Sequence, residues 1–389
     1  MPTTPKVMLL METARTPERG FLRGVAEYSR LHGPWMFYRK LPFYIKAKRR
    51  EKELAPITDY YDAHGIIICD TELTPEIISR ALPTVVFCVN KQIPDLVNVI
   101  GDCVTSGTWA AEHLLDRGFE HFAYCSFGKM YWSRGRYENF RKRVAEAGFK
   151  THFYEQSKLR VQRSLNEELS CMAGWLKSLP KPVGVMTCCD DCSQHIIEAC
   201  KIADLHVPEQ IAVIGVDNDE LVCKLSNPPL SSIALNFERG GYEAAELLDK
   251  LMGGKEKMAG QKVRVQPTYL FTRQSTNILA IDDPEVAKAV RFIRQHAKEP
   301  IRVDDVVGSA ALSRRVLERQ FRKVLGRSVL SEIRRVRVDQ VIRMLVETNL
   351  PISQIASVLG YPGVDHIARY FRREKGMNLQ SYRKLYGHK

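Results

Sequence analysis

Between residue 6 and about residue 235, short apolar runs alternate with longer amphipathic stretches, the pattern of βαβ units wound around a mostly parallel sheet. Strands are predicted at 7–10, 66–69, 84–89, 122–125, 183–186 and 211–216, each rich in β-branched or aromatic residues and bounded by Gly, Pro, Asn or Asp. The intervening helices carry boundary signals. Thr16-Pro17-Glu18 supplies a capping hydroxyl, a first-turn proline and an acid to a helix running to about Leu31, ahead of Gly33-Pro34. Asp102 is placed to cap a second, whose apolar positions Val104, Trp109, Ala110, Leu114 and Leu115 end at Gly118. A third spans 134–147 before Gly148, and a fourth spans 190–203.

The pattern changes after Asp282-Asp283-Pro284-Glu285, a linker ending in a cap and a first-turn proline. From there every stretch reads as helix. Two segments, 303–321 and 352–371, repeat one pattern about fifty residues apart: an apolar-faced short helix, a turn, then a helix with a core stripe and a basic opposite face. That is a helix-turn-helix, which lays its second helix in the major groove of DNA. In the first unit the stripe Val316, Leu317, Gln320, Phe321 and Val324 is expected inward, leaving Arg314, Arg315, Glu318, Arg319 and Arg322 outward. In the second, Ile367, Ala368 and Phe371 point inward and Asp365, His366, Arg369, Arg372 and Arg373 outward. Arginine's planar fork bonds guanine O6 and N7 together, and a carboxylate accepts from cytosine N4.

Charge strengthens this reading. The chain of 389 residues carries a net charge of +13, and residues 281–389 hold 22 Lys and Arg against 12 Asp and Glu, most of the excess. A compact basic end invites a polyanion. Composition is otherwise globular, with 44% hydrophobic and 26% charged residues, and the length suits two or three domains. The amino terminus lacks a basic region followed by a long apolar stretch, and no run approaches the roughly 18 apolar residues of a membrane helix, so the expected place is the cytoplasm with no membrane partner. There the ten cysteines are expected to be buried, reduced thiols.

In open α/β sheets ligands bind beyond the carboxyl ends of the strands. Those positions are polar here: Glu12, Thr13 and Arg15; Asp70; Ser126 followed by Tyr131, Trp132, Arg134 and Arg136; Cys188, Cys189, Asp190 and Asp191; and Asp217, Asn218 and Asp219. Carboxylates, an amide and an arginine with aromatic rings near suit a small polyol, although Asp and Asn also serve as caps and turn residues. Neither a Gly-x-x-x-x-Gly-Lys loop nor a Gly-x-Gly-x-x-Gly follows a strand, which disfavours nucleotides. Asp217, Asp219 and Glu220 could serve a metal-dependent hydrolase, but no nucleophile–base pair is evident. Cys189-x-x-Cys192 is a lone pair with only His195 near, short of a zinc site. A solute-binding protein would explain the front part and leave the basic tail unused.

The front part resembles the LacI/GalR sugar-responsive regulators, built on the two-lobed periplasmic-binding-protein fold. The resemblance rests on Gly101-Asp102, on Ala110-Ala111-Glu112-His113-Leu114-Leu115-Asp116-Arg117-Gly118-Phe119 and on Arg136-x-x-x-Phe140. Further on it rests on 207–217, 230–233, Gly241-x-x-Ala244-Ala245-Glu246-Leu247-Leu248 and Arg273-Gln274-Ser275-Thr276. It implies that Arg136, Asp190, Asp217 and Asn218 face an effector between the lobes, with Glu12 and Trp132 as further candidates. That type begins with a DNA-binding head of about sixty residues, whereas here the first strand starts at Lys6.

The tail resembles the AraC/XylS transcription regulators through Ser313-Arg-Arg-x-Leu317-x-Arg319-x-Phe321 with Gly326, Pro351-Ile352-x-x-Ile355-Ala356-x-x-Leu359-Gly360-Tyr361, Phe371-Arg372-Arg373 and Tyr382-Arg383. In that family a long middle helix, here 329–347, holds both recognition helices for successive major grooves. Pro362-Gly363 stands where Phe usually follows Gly-Tyr, which bears on where the second helix starts and on Asp365 as a base contact. Sensor first and DNA-binding head last resembles the xylose operon regulators, which are activators. The resemblance implies an α/β two-lobed periplasmic-binding-protein-like domain (1–280) followed by an all-α domain with two helix-turn-helix units (281–389). The implied partners are double-stranded DNA, a sugar such as D-xylose, RNA polymerase and a second copy of the chain, with no cofactor and no enzymatic activity.

Overall fold

The computed structural model describes residues 4–39, 62–128, 130–156, 164–281 and 283–386. Its front part holds two six-stranded sheets. The first comprises β1 (Lys6–Leu10), β2 (Met36–Arg39), β3 (Gly65–Cys69), β4 (Thr84–Phe87), β5 (Val97–Gly101) and β11 (Lys262–Val265), ordered β11-β5-β4-β3-β1-β2 with every pair parallel. The second comprises β6 (His121–Phe127), β7 (Thr151–Gln156), β8 (Val183–Thr187), β9 (Ile211–Asp217), β10 (Ser231–Leu235) and β12 (Pro267–Phe271). Its order is β12-β10-β9-β8-β6-β7, and β12 alone runs antiparallel.

Each of the six strands expected from the sequence forms, and the central ones are apolar along their whole length because both faces are covered. Gly65–Cys69 and Val183–Thr187 are buried at every position. On the first sheet pack α1 (Thr16–His32), α2 (Pro75–Ser79) and α8 (Phe237–Met252); the second carries α3 (Cys103–Leu115), α4 (Tyr131–Glu146), α5 (Leu165–Ser178), α6 (Asp190–Ala203) and α7 (Glu220–Leu225). Asp102 caps α3, its carboxylate accepting from the Thr105 N–H, as the sequence implies. At α1 the expected cap differs: Arg15 holds the cap position, and Thr16 is already the first helical residue, its otherwise orphaned N–H donating to Asp219. The chain passes between the sheets after β5, β10 and β11, and the three crossings are tied side by side, the Asp102 N–H bonding the Val265 carbonyl and the Asn236 N–H that of Gln266, each at 2.9 Å.

The tail is helical throughout its described residues: α9 (Pro284–Gln295), α10 (Val303–Gly308), α11 (Arg314–Leu325), α12 (Val329–Glu347), α13 (Ile352–Val358), α14 (Val364–Lys375) and α15 (Leu379–Tyr386). Asp283 caps α9 ahead of Pro284, while Asp282 of the expected linker lies outside the described residues. The repeat is real in three dimensions. Leu317 and Phe321 recur as Ile367 and Phe371, all fully buried, and both recognition helices end at a left-handed glycine, Gly326 (φ 69°) and Gly376 (φ 72°). The turns, 309–313 and 359–363, have the same length, so Pro362-Gly363 leaves the spacing unchanged.

One inward expectation fails: Val324 is 37% exposed and Leu325 takes the core position, since Leu317, Phe321 and Leu325 follow one another by four along a single stripe. The ten cysteines are free thiols, seven of them buried, but Cys171 is exposed. Among the described residues no helix is long and apolar enough to cross a membrane.

Candidate functional site

The carboxyl ends of β1, β6, β8 and β9 meet between the two sheets. At the end of β9 the backbone turns through Asp217 (φ 104°) and Asn218 (φ 49°), left-handed conformations that cost a residue with a Cβ about 1–3 kcal/mol and persist where surroundings impose them. What they gain is placement. The Asp217 carboxylate accepts from Arg136 Nη2 at 3.2 Å, and Arg136, 4% exposed on α4, also donates to the Cys188 carbonyl and lies 5.1 Å from the Trp132 ring centroid. Burial raises the Asp217 pKa, and the Arg136 charge opposes that rise; burial opposes the charge on Arg136, and Asp217 more than restores it.

Asp190 comes to the same place from the start of α6 but lies beneath the surface, 2% exposed. Its Oδ1 accepts from the Ser232 hydroxyl at 2.6 Å and its Oδ2 from the Asp219 N–H at 2.7 Å, and the space that a side chain on Gly215 would need is filled by that carboxyl. Burial, reinforced by Asp217, pushes the Asp190 pKa up to about 8. Asn218 accepts from Arg273 Nη2 at 2.8 Å, and its N–H donates to Ser232. Glu12 is exposed at the end of β1, and Trp132 is half-buried at the start of α4. Arg136, Asp217 and Trp132 therefore converge, Asn218 adjoins them, Asp190 supports them from below, and Glu12 stands on the opposite lobe.

Sequence reasoning did not assign two groups to the site. Glu18, in the first turn of α1, is raised in pKa by burial and by Asp217, and its Oε2 is buried without a hydrogen-bond partner, as is Arg136 Nε. Arg273 follows the antiparallel edge strand β12, which no rule about parallel strands points to. The lobes are bridged across the cleft by an Arg15–Asp191 ion pair and by the Thr16 N–H to Asp219 Oδ2 at 3.2 Å. An ionised pair beside an indole face, with buried donor and acceptor atoms still unsatisfied, suits a ligand that brings hydroxyl groups to both. Among the described residues no group of three or more His, Cys, Asp or Glu is placed to hold a metal, and Cys192 faces Cys125 at 3.3 Å instead.

In the tail, Arg315, Arg319 and Arg322 on α11 and Asp365, His366, Arg369, Arg372 and Arg373 on α14 are exposed. Arg314 is exposed too, but it pairs with Asp304 of α10 at 2.9 Å, and Glu318 is half-buried with Oε2 lacking a partner. The tail rests on the second lobe at two places. Asp116, capping the end of α3, receives Arg327 at 2.5 Å and Arg335 at 3.1 Å, and both arginines grip Glu332 at 2.7 Å. Tyr269 and Phe271 of β12 pack into the core of the second unit, where the Tyr382 hydroxyl reaches the Thr268 carbonyl.

The periplasmic binding protein-like domain family matches residues 111–276, and the helix-turn-helix domain family matches 307–385. The xylose operon regulatory protein of Escherichia coli K12 is 32% identical over 275 residues, 70% of this chain and 69% of that protein. Its namesake from Haemophilus influenzae is 29% identical over 277 residues, 70% and 71% of the two chains. The solved structure of a xylose-binding transcription activator aligns over 100% of both chains at 26% identity with a TM-score of 0.60.

Proposed function

The chain belongs to the family of xylose operon regulatory proteins, and from that premise we propose that it is a sugar-responsive, DNA-binding transcription regulator that activates genes of pentose catabolism. The observation that carries the reading is a structural likeness to a xylose-binding activator that runs through sensor and tail alike. Residues 1–280 form the effector and dimerisation domain and 281–389 the DNA-binding domain. D-xylose binds between the lobes, its hydroxyls held by Arg136, Asp217, Asn218 and Glu12 over the Trp132 ring, with Asp190 keeping the floor in shape. The exposed faces of α11 and α14 read successive major grooves of an operator. The protein acts in the cytoplasm as a homodimer that engages RNA polymerase.

Sugar and DNA communicate only through their different affinities for two states of the protein, a coupling of typically about 1–3 kcal/mol. Lobe closure selects between those states. Arg15–Asp191 and Thr16–Asp219 join the two lobes, so opening the cleft would break them, and the two docking points offer a route from the second lobe to the tail.

Thermal unfolding of the purified chain against a panel of pentoses and hexoses tests this. A true effector at 100 times its Kd adds about 2.7 kcal/mol of stability. D-xylose is expected to give the largest shift; a hexose giving it instead replaces the sugar, and a flat panel sinks the cleft as an effector site.

A further inference from the structure

The two helix-turn-helix units have separate hydrophobic cores, and the boundary between them falls at one residue of α12. Ile333 and Val336 belong to the first core, Val338 and Val341 to the second. Arg337 stands at that seam and is 7% exposed. Its Nη1 donates to the Glu299 carbonyl, in the segment between α9 and α10 of the first unit. Its Nη2 donates to the Leu359 carbonyl at 2.8 Å, the residue that caps α13 in the second. The guanidinium lies 4.5 Å from the ring centroid of Tyr361, within the turn leading into α14. Beside it the units touch: a Cβ on Gly360 would come within 3.1 Å of Pro300.

A rigid planar fork can hold two carbonyls in fixed directions and stack on a ring at once, whereas an ammonium on a flexible stem cannot. The Leu359 carbonyl, at a helix end, has no later amide within α13 to accept from, so Arg337 also meets an obligation of that terminus. Since little apolar contact crosses the seam, bending of α12 would let the units rotate against one another. We propose that Arg337 is the positioning residue that fixes the angle and separation of the two recognition helices, and so sets the spacing of the DNA blocks the protein accepts. This rests on the DNA-reading role given above. Two helices read one face of a duplex together only when their separation matches about one helical turn, 10–10.5 base pairs.

The test selects duplexes from a randomised pool with the full-length chain and with Arg337→Lys and Arg337→Gln. The wild type is expected to enrich two short blocks at a single spacing. The variants should enrich the same blocks over several spacings, bind the correctly spaced pair at least tenfold more weakly, and bind a duplex carrying one block as the wild type does. Inserting one base pair between the blocks should cost the variants less than it costs the wild type. An equal loss on paired and single-block duplexes would reveal a merely structural residue and overturn the proposal, as would an unchanged single spacing. Tyr361→Leu, which removes the ring beneath the guanidinium and leaves both hydrogen bonds possible, should show the same broadening in weaker form; if the Arg337 variants unfold, a single retained spacing in Tyr361→Leu counts against the seam. A wild-type chain that enriches nothing defeats the DNA-reading role itself.

Discussion

Asp190 and Glu332 are both carboxyl groups sealed from solvent, 2% and 0% exposed, yet the protein drives them in opposite directions. Beneath the cleft, burial and the neighbouring Asp217 raise Asp190 to about 8, and its partners are a hydroxyl, an amide and the Cys223 thiol, none of them charged. At the junction with the tail, burial again opposes ionisation of Glu332, but Arg335 and Arg327 overwhelm it and bring the group to about 2. Burial alone therefore says little about a group's charge; what faces it decides. The cleft floor surrounds an acid with uncharged partners that favour its neutral form, beside the Arg136–Asp217 pair, whereas the junction is a knot of charges.

The largest way to break this contrast is to neutralise each acid in turn. Glu332→Gln leaves Arg327 and Arg335 without their buried partner and should destabilise the chain by roughly 3–5 kcal/mol. Asp190→Asn keeps one acceptor for the Asp219 N–H and offers a donor to Ser232, so it should cost no more than about 1.5 kcal/mol. Urea unfolding near pH 7 measures both. Equal losses would mean that the two environments are alike after all.

Next in size is the sugar response. Asp217→Asn keeps the shape of the cleft while removing the charge facing Arg136, and should abolish the sugar-induced gain of about 2.7 kcal/mol at saturating ligand. Basal DNA affinity should persist. A normal thermal shift with the variant at ordinary sugar concentration would take Asp217 out of the site.

The same contrast explains what was readable from the sequence. Strands buried on both faces, such as Gly65–Cys69 and Ile211–Asp217, announce themselves as apolar runs, and Asp217, Asn218 and Arg136 were found by looking beyond their ends. Met36–Arg39, Thr151–Gln156 and Lys262–Val265 lie at sheet edges with exposed side chains, where no continuous run is needed and none marks them. Glu18 and Arg273 reach the cleft from a helix turn and an antiparallel edge, so strand-end reasoning passes them by. In the tail, the spacing of Leu317, Phe321, Ile367 and Phe371 exposed the repeat, and α12 spans the expected 329–347. Nothing in the sequence marks Arg335 or Arg337; packing beside Asp116 half-buries the first, and contact with the Glu299 and Leu359 carbonyls buries the second.

An exposed arginine supplies the opposite case from Glu332. Arg369→Ala should leave stability within about 0.5 kcal/mol, because an exposed side chain away from caps and networks contributes little. At the operator it should cost about 1–3 kcal/mol and relax preference at one base pair. Titration of the full-length variant against single-base operator changes reads both. A loss spread evenly over all sequences would assign Arg369 to the phosphate backbone instead.

A change of slope with pH reads the same contrast without any ligand. Folding raises the Asp190 pKa from an ordinary carboxylate value of 3.8 to about 8, so its contribution to stability is full below about 4 and disappears as pH rises toward 8. Glu332 has the reverse sign: its value falls from 4.5 to about 2, so its contribution is full above about 4.5 and disappears only as pH drops toward 2. Between pH 5 and 8 the wild-type chain should therefore lose stability through Asp190 and keep all that Glu332 supplies. Asp190→Asn should flatten the decline of the urea midpoint over that window, and Glu332→Gln should run below the wild type and parallel to it, closing the gap only in acid. If Asp190→Asn instead runs parallel to the wild type from pH 5 to 8, Asp190 is already ionised throughout, and Asp217, Asp219 and Cys223 around it do not hold a neutral acid beneath the cleft.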